Sequence, residues 1–204
     1  MKAYKNRGKG GVIRARANFA GFVIILLMMV GAARANLVFD SGYNTYDESY
    51  GYNAEVWAIN DAILDVFGGQ IGKLEYDNNA NGNIYAGTID WFYGVDSSIV
   101  GIYDGTISWL WTGNNSVVSI HGGQLGIFTA YPDSIVKLYA RDTIYHMSGG
   151  IDNRPWIEGV YLISEEPFNF SFYDDDDYLQ VQIVPEPSTI LLISFGILLL
   201  KKKS

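Results

Sequence analysis

An internal repeat of eighteen residues runs through the middle of the chain and constrains its fold more than any other feature. Glycine recurs at this interval four times, and a branched aliphatic residue lies two positions after each glycine. The glycines are Gly69, Gly87, Gly105 and Gly123, and the aliphatic residues are Ile71, Ile89, Ile107 and Leu125. Two further apolar rows keep the interval: Val66, Ile84, Ile102, Ile120 and Leu138, and Leu74, Phe92, Leu110 and Phe128. A fixed period of this length is typical of repeat proteins whose units stack on one another.

Each repeat unit is predicted to contain strands rather than helices. Val100 and Ile102 alternate with a period of two, which is the spacing of residues on one face of a strand. Turn-forming residues separate the strands, as at Asn114–Asn115. The sequence therefore predicts an all-β fold, a short parallel β-solenoid of about five 18-residue coils over residues 61–146.

An antiparallel β-sandwich is the competing architecture, since turn signals every eight to twelve residues or so would also serve a sandwich. The recurrence of glycine favours the solenoid, because a sandwich gives no reason for one interval to repeat.

Two local features need an explanation in a solenoid. Ile71 and Leu74 can both point inward only if a bulge or corner lies near Gly72. Ile144 lies nineteen residues after Leu125, so the last unit is predicted to contain one inserted residue.

The segments on either side of the repeat are predicted to cap it, because the ends of a solenoid otherwise leave apolar surface open. Residues 36–60 are rich in Tyr, Asn, Asp and Gly without a sustained period, and we expect an irregular N-terminal cap there. Residues 147–183 contain the alternating Phe168, Phe170 and Phe172, and we expect C-terminal capping strands there.

The first 35 residues have the layout of a signal peptide. A basic region ends at Arg16 and the apolar run Phe19–Ala32 follows it. Ala33 and Ala35 then place small residues where signal peptidase recognises its substrate. We therefore expect an N-terminal signal helix and cleavage after Ala35. A membrane anchor is the alternative, but the run is shorter than the roughly 20 residues needed to span a bilayer.

The last 21 residues, 184–204, contain a rigid motif, a short apolar stretch and a basic end in that order. The motif is Pro185, Glu186 and Pro187, the apolar stretch is Ile190–Leu200, and the basic end is Lys201, Lys202 and Lys203. This segment strongly resembles the PEP-CTERM sorting signal of Gram-negative bacteria. The resemblance implies a C-terminal transmembrane helix, a membrane-anchored precursor and recognition by an exosortase. It also implies export to the cell surface or its polysaccharide matrix.

Charge is distributed unevenly along the chain. Residues 36–184 contain four basic and twenty-one acidic residues, which gives a formal charge of −17. Such a domain repels phosphate backbones, so nucleic acid is not an expected partner. The chain has no cysteine, which excludes thiol catalysis and thiolate metal sites. We expect no cofactor and no metal site.

The repeat also aligns residues that would face outward. If the row that includes Ile84 and Ile102 faces the core, one aromatic side chain of each coil lies above the next on the outside. This predicted aromatic ladder is Phe67, Tyr85, Tyr103, His121 and Tyr139, and shorter rows pair Trp91 with Trp109 and Tyr93 with Trp111. Rings in a row could stack on sugar faces, so the candidate glycan-binding residues are Tyr85, Tyr103, Tyr139, Trp91 and Trp109. The alternative is that the stacked rings only stabilise one coil on the next.

Two other patterns are weaker. Thr88 and Thr106 form a threonine row like those of some ice-binding faces, but the row is short and lies between Gln70 and Gln124. The acidic run Asp174–Asp177 could ligate Ca²⁺ through its carboxylates, yet it lacks the spacing of a calcium loop. A solvated loop is the expected structure of that run.

Motifs typical of enzymes do not occur in the sequence. His121 and His146 have no metal-ligand spacing, and neither a Gly-x-Ser-x-Gly elbow nor a phosphate-binding glycine loop is found. Asp65, Asp90 and Asp104 fall on different faces of the repeat, so a pair of glycosidase carboxylates is not expected among them. We therefore expect an exported, non-enzymatic structural or adhesive protein. The main alternative is an exopolysaccharide-binding module, followed by an ice-binding protein or a polysaccharide-active enzyme.

Overall fold

The computed structural model describes residues 13–15, 36–50, 54–174 and 176–185. Within these residues the fold is all-β. The strands are β1 (Ile13–Ala15), β2 (Asn36–Tyr46), β3 (Ala54–Tyr76), β4 (Asn81–Gly94), β5 (Ile99–Ile102), β6 (Thr106–Thr112), β7 (Val117–Ile120), β8 (Gln124–Ala130), β9 (Ile135–His146), β10 (Trp156–Tyr161), β11 (Pro167–Phe172) and β12 (Val181–Val184). Short 3-10 helices lie at Glu48–Tyr50, Ile151–Asn153 and Asp177–Gln180. The predicted membrane helix and the predicted signal helix, apart from β1, lie outside the described residues.

Parallel pairing between successive coils builds the molecule. β3 pairs with β4. The first part of β4 then pairs with β5 and its last part pairs with β6, so the stack has two faces. The β5 face contains the start of β4 followed by β5, β7 and the start of β9, and the β6 face contains the end of β4 followed by β6 and β8. On the β5 face the aligned residues are Ile84, Ile102, Ile120 and Leu138, as predicted. The solenoid is thereby confirmed, with about six turns instead of the expected five.

The additional turn lies on the N-terminal side. β2 pairs in parallel with β3, from Asn36 opposite Glu55 to Tyr46 opposite Val66. The expected irregular cap is therefore wrong for β2, which pairs with β3 as a strand of the solenoid. The offset between β2 and β3 changes from 19 to 20 residues at an irregularity after Phe39, so the eighteen-residue interval does not reveal this turn. β1, which falls within the predicted signal peptide, pairs in parallel with the start of β2.

A corner inside each coil allows two closely spaced residues to point into the core. Ile71 and Leu74 are both buried, although only two residues separate them. At the equivalent place in the next coil, Asp90 and Trp91 are both exposed. Two consecutive outward residues require a bend in the strand, which confirms the corner predicted near Gly72.

Positive φ angles explain why glycine recurs once in each coil. Gly69, Gly87, Gly105 and Gly123 have φ angles of +91, +117, +107 and +92°. Glycine adopts such angles at little cost, whereas a residue with a Cβ atom is strained there. The repeated glycine therefore marks the turn that each coil makes before it enters the β6 face.

The C-terminal end closes the solenoid with a different arrangement. β9 continues past Leu138 and pairs antiparallel with β10, which pairs antiparallel with β11. β11 then lies parallel to β8, with Phe172 opposite Phe128. Ile144 is 55% exposed, so the prediction that it takes the position of Leu125 in a last coil is wrong. β11 covers that end of the β6 face instead.

The last strands follow the expected alternation of phenylalanines. Phe168, Phe170 and Phe172 of β11 are all buried. Phe170 and Phe172 both meet the ring of Phe128 edge to face, which joins the end of the chain to the core of the repeat. β12 adds one parallel strand beyond β9, and Pro185 follows it directly.

Candidate functional site

Three rows of outward-facing side chains run along the β5 face. A largely aliphatic row consists of Ile63, Asn81, Ile99, Val117 and Ile135. A central row consists of Asp65, Asn83, Gly101, Ser119 and Lys137. The aromatic ladder forms the third row, at the end of the same strands. The rows arise because alternate residues of each strand face outward and parallel pairing stacks equivalent positions.

The aromatic ladder is a continuous stack of five rings, as its spacing predicted. From Phe67 to Tyr139, successive ring centroids are 5.0, 5.2, 4.7 and 4.0 Å apart. The corresponding ring planes differ by 11, 14, 3 and 22°. Stacking of this kind adds a favourable interaction to each step between coils. The ladder therefore fixes each coil to the next on the outside, as the apolar rows do in the core.

Stacking leaves little ring surface in the ladder open to a ligand. Tyr85 and Tyr103 each have a neighbouring ring on both faces, so they present mainly edges and hydroxyl groups to solvent. Tyr139 has His121 against one face. A sugar that stacks on an aromatic side chain needs an open ring face. The geometry thus favours the coil-stabilising role of these rings over direct sugar stacking.

Trp91 and Trp109 form a separate stack on the β6 face. Their ring centroids are 4.8 Å apart and their planes differ by 18°. Tyr173 packs on Trp109 at 5.4 Å, and the Trp109 indole Nε1–H donates a hydrogen bond to Thr129 at 3.2 Å. The five candidate glycan-binding residues therefore lie on two different faces, and the structure does not bring them together into one site.

His121 is the single titratable imidazole within the ladder. Its ring lies between Tyr103 at 4.7 Å and Tyr139 at 4.0 Å. Burial lowers the pKa of His121, because the stacked rings remove water that would solvate the imidazolium. A lowered pKa keeps the imidazole neutral near pH 7, which suits a position between two tyrosine rings.

We expect His121→Phe to reduce the loss of stability on acidification. The unfolded chain binds the His121 proton more readily than the folded chain, so this group costs stability as the pH falls through the ordinary histidine pKa of about 6.5. Phenylalanine keeps the ring stack without titrating. Urea unfolding at about pH 7.5 and about pH 5.5 should show a smaller drop for the variant. An equal drop in both proteins would contradict the stacked, neutral imidazole.

A shallow groove of about 310 Å³ lies between the aliphatic row and the aromatic ladder. Its floor consists of Asn83, Gly101 and Ser119 of the central row. Ile63 and Ile99 line one side, and the edges of Tyr103 and His121 line the other. Asn81, Asn83 and Ser119 supply uncharged polar groups to the same groove. The groove is therefore an apolar channel with amide and hydroxyl groups in its floor and rim.

Asp65 holds the polar end of this groove in place. Its carboxylate accepts hydrogen bonds from the Tyr43 hydroxyl at 2.8 Å and from the Asn83 backbone and side-chain amides at 3.0 and 2.9 Å. Asp65 is only 6% exposed, so these donors compensate for the loss of water around its charge. Asp65 and Asn83 are eighteen residues apart in the sequence, but this spacing alone did not predict that Asn83 donates hydrogen bonds to Asp65.

No protein-family model, curated protein or solved structure matches the chain. The geometry of the β5 face and the signals in the sequence are therefore what indicate the function of this chain. Among the described residues, no helix is both long enough and apolar enough to cross a membrane. The same part of the chain contains no cluster of three or more His, Asp or Glu side chains suited to a metal ion.

The other candidate residues lie away from the groove. Gln70, Thr88, Thr106 and Gln124 are aligned and exposed on the β6 face, as the repeat predicted. The Glu158 carboxylate accepts a 3.0 Å hydrogen bond from His146 Nε2–H, and the His146 ring stacks on Trp156 at 4.1 Å. These contacts tie β9 to β10, which is a structural role at the C-terminal end.

The acidic run near the C-terminus differs from the expected solvated loop at one position. Asp177 is only 4% exposed, and its carboxylate accepts hydrogen bonds from the backbone amides of Ala130 and Asp174, each at 2.9 Å. The prediction is therefore wrong for Asp177, which anchors the chain after β11 to the end of β8. No signal in the sequence distinguishes Asp177 from its acidic neighbours.

Proposed function

We propose that this chain is an exported, non-enzymatic protein of the cell surface or extracellular matrix with a structural or adhesive role. The observation that carries the proposal is the continuous stack of five rings along the β5 face. These rings contact one another from coil to coil, which stiffens the solenoid along its axis. A stiff, strongly acidic solenoid without cysteine is suited to a place outside the cell, where it would hold its shape without disulfides.

The two ends of the sequence support export. Signal peptidase would act after Ala35, and an exosortase would recognise Pro185, Glu186 and Pro187. Pro185 is exposed and follows β12 directly, so the first residue of the motif lies just after the last strand of the solenoid. An enzyme could reach a motif in this position without unfolding the solenoid. In this proposal the precursor is held in the membrane by residues 190–200 until it is processed.

Replacing Pro185, Glu186 and Pro187 together with alanine should trap the precursor. We expect most of the variant to stay in the membrane fraction at a larger size, because the sorting enzyme no longer recognises the motif. Immunoblots of fractionated cells of the native host measure this. Pro167→Ala is the matched control, since Pro167 is an exposed proline of β11 outside the motif. Unchanged size and fraction in the triple variant would contradict exosortase sorting.

Binding of a carbohydrate chain is the second candidate function. The groove beside the ladder favours it, because that groove combines exposed aliphatic side chains with uncharged amide and hydroxyl groups. The exopolysaccharide of the host is the natural partner for an exported protein of this kind. In this form the adhesive role would come from the groove, not from the faces of the stacked rings.

A further inference from the structure

We infer that two copies of this chain associate end to end through the outer edges of their β12 strands. The two strands would pair antiparallel about a two-fold axis at Gln182. The partner is thus a second copy of the chain, and both copies use the same surface, as in other two-fold symmetric dimers. The inference goes beyond the proposed function, because it does not depend on where the chain is exported.

The core of the solenoid is left open beside β12. This strand continues the parallel stack, with Val181 opposite Val136 and Ile183 opposite Leu138. Val136 and Leu138 are fully buried, so Val181 and Ile183 occupy inward positions. Each of the five earlier residues of the Ile183 row is at most 1% exposed, whereas Ile183 is 40% exposed. Those five residues are Val66, Ile84, Ile102, Ile120 and Leu138.

Exposure at an inward position differs from exposure elsewhere on the β5 face. The exposed isoleucines of the aliphatic row face outward, so their exposure leaves the core closed. Ile183 instead ends a core row, and no described residue follows it in that row. One further strand beside β12 would complete the burial that every earlier layer has.

The outer edge of β12 lacks the features that usually keep a sheet edge from pairing. Natural edge strands are commonly protected by a lysine, a proline or a bulge. β12 contains no charged residue and no proline, and its register with β9 is regular over all four residues. Within the described part of the chain it pairs with β9 alone, although it is as long as β5 and β7, which pair on both edges. β12 therefore resembles an inner strand that lies at an edge.

The opposite end of the solenoid is closed, so head-to-tail stacking of copies is not expected. Tyr46 covers the same core row at that end, and its fully buried ring stacks on Tyr50 at 4.8 Å. Gly42 has a φ angle of +73°, and the Asn44 side chain donates hydrogen bonds to the Ser41 and Gly42 carbonyls at 3.2 and 3.0 Å. These features distort the β2 edge and engage two of its carbonyls. Association through β12 therefore stops at two copies.

The sequence of β12 matches itself in one antiparallel register. Directly opposite residues of an antiparallel pair lie on the same face of the sheet. A pair centred on Gln182 places Val181 of each copy opposite Ile183 of the other, so the apolar residues of both copies lie on the core side. A shift by one residue would turn the apolar side of one copy to the outer face of the other. The register thus selects a second copy as the partner.

The dimer is expected to be weak. Only four residues of each copy pair, and residues 36–184 of each copy carry a formal charge of −17, so the two domains repel each other. Interfaces well below about 1,200 Å² are typical of transient complexes. We expect a dissociation constant between about 10 µM and about 0.5 mM at about 0.15 M salt.

Sedimentation velocity of the full chain in mild detergent, over a series of protein concentrations, tests the inference. Gln182→Lys and Gln182→Glu should each weaken dimerisation about fivefold, because like charges would lie directly opposite each other at the two-fold axis. An equal mixture of the two variants should dimerise at least as well as the wild type, since the opposed charges then attract. Recovery in the mixture would also show that both variants are folded.

Two comparisons separate the axis from effects within one copy. Gln182 lies beside Lys137 of its own chain, which favours Glu and disfavours Lys, so an effect on β12 alone would differ between the two variants. Gln124→Lys is the matched control, because Gln124 is an exposed glutamine of β8 on the β6 face. It makes the same change of charge and should leave dimerisation unchanged. The apolar residues 190–200 are present in every variant, so association through them would not vary.

Several results would overturn the dimer. A wild-type chain that stays monomeric at about 0.5 mM would do so. Dimerisation that neither Gln182 variant weakens would assign association to another part of the chain, such as the apolar tail. Assemblies that grow beyond two copies would show head-to-tail stacking, and a mixture that dimerises no better than either variant would exclude the two-fold axis at Gln182.

Discussion

Gly82→Ala should destabilise the solenoid by at least about 3 kcal/mol. Gly82 pairs with Leu64 in the preceding coil, and a Cβ atom at Gly82 would lie 1.8 Å from the Leu64 carbonyl oxygen. It would also lie 2.9 Å from the ring of Tyr76, which is fully buried. The Tyr76 hydroxyl donates a 2.7 Å hydrogen bond to the same Leu64 carbonyl. Neither the backbone nor this ring can move away, so the added methyl group would force two coils apart.

Urea unfolding followed by circular dichroism measures this effect, with Gly113→Ala as the matched control. Gly113 lies at a turn, and a Cβ atom there would make ordinary contacts with Trp111 at 3.5 Å. We expect this control to remain within about 1 kcal/mol of the wild type. Tyr76→Phe should cost about 1 kcal/mol, the typical value of one buried hydrogen bond. If Gly82→Ala were as stable as the control, the packing of Tyr76 under Gly82 would be incorrect.

The central coils could be predicted from the sequence because each layer carries the same information as its neighbours. Parallel stacking places Ile84, Ile102 and Ile120 in one row, so the interval of eighteen fixes the register as well as the fold. Gly105 and Gly123 repeat because the turn before the β6 face needs positive φ in each coil. Features that depend only on the repeat are therefore readable without a structure.

The strand pairing at the ends of the solenoid could not be predicted, because the ends break the repeat. β2 belongs to the stack, but the irregularity after Phe39 shifts its offset and conceals the relation to β3. At the other end, β11 reaches the β6 face by antiparallel pairing with β10, so Phe172 lies over Phe128 at a distance of forty-four residues. Contacts of this kind arise from chain reversal, which carries no periodic signal.

The candidate site was predicted in part. The aromatic ladder follows from the interval, and its five rings stack as expected. That the rings cover each other's faces depends on side-chain rotamers, which the interval does not determine. The groove was missed because its shape depends on how the side chains of Asn83, Tyr103 and His121 pack around Gly101, and the eighteen-residue interval does not determine that packing.

Asp177→Ala should cost about 3 kcal/mol, the second large effect expected in this protein. The side chain of Asp177 is buried, and its two oxygens accept the backbone amides of Ala130 and Asp174. Alanine would leave both donors without this partner, and the Ala130 amide lies in a buried place. The 3-10 helix at Asp177–Gln180 would lose its link to β8. Thermal unfolding measures the loss, and Asp176→Ala is the control, since Asp176 is exposed and its side chain makes no capping hydrogen bond.

Asp177→Asn separates the charge of this residue from its hydrogen bonds. Burial raises the pKa of the Asp177 carboxyl, although the amides of Ala130 and Asp174 partly oppose the shift. The folded chain therefore holds this proton more tightly than the unfolded chain, so Asp177 adds stability as the pH falls through its raised pKa toward the ordinary value of about 3.8. Asparagine does not titrate, so the deficit of Asp177→Asn relative to the wild type should grow as the pH falls through that range. A deficit that shrinks on acidification would contradict this. It would mean that the amide donors stabilise the native carboxylate by more than burial destabilises it. The ionised form of Asp177, not the protonated one, would then hold the end of the solenoid together.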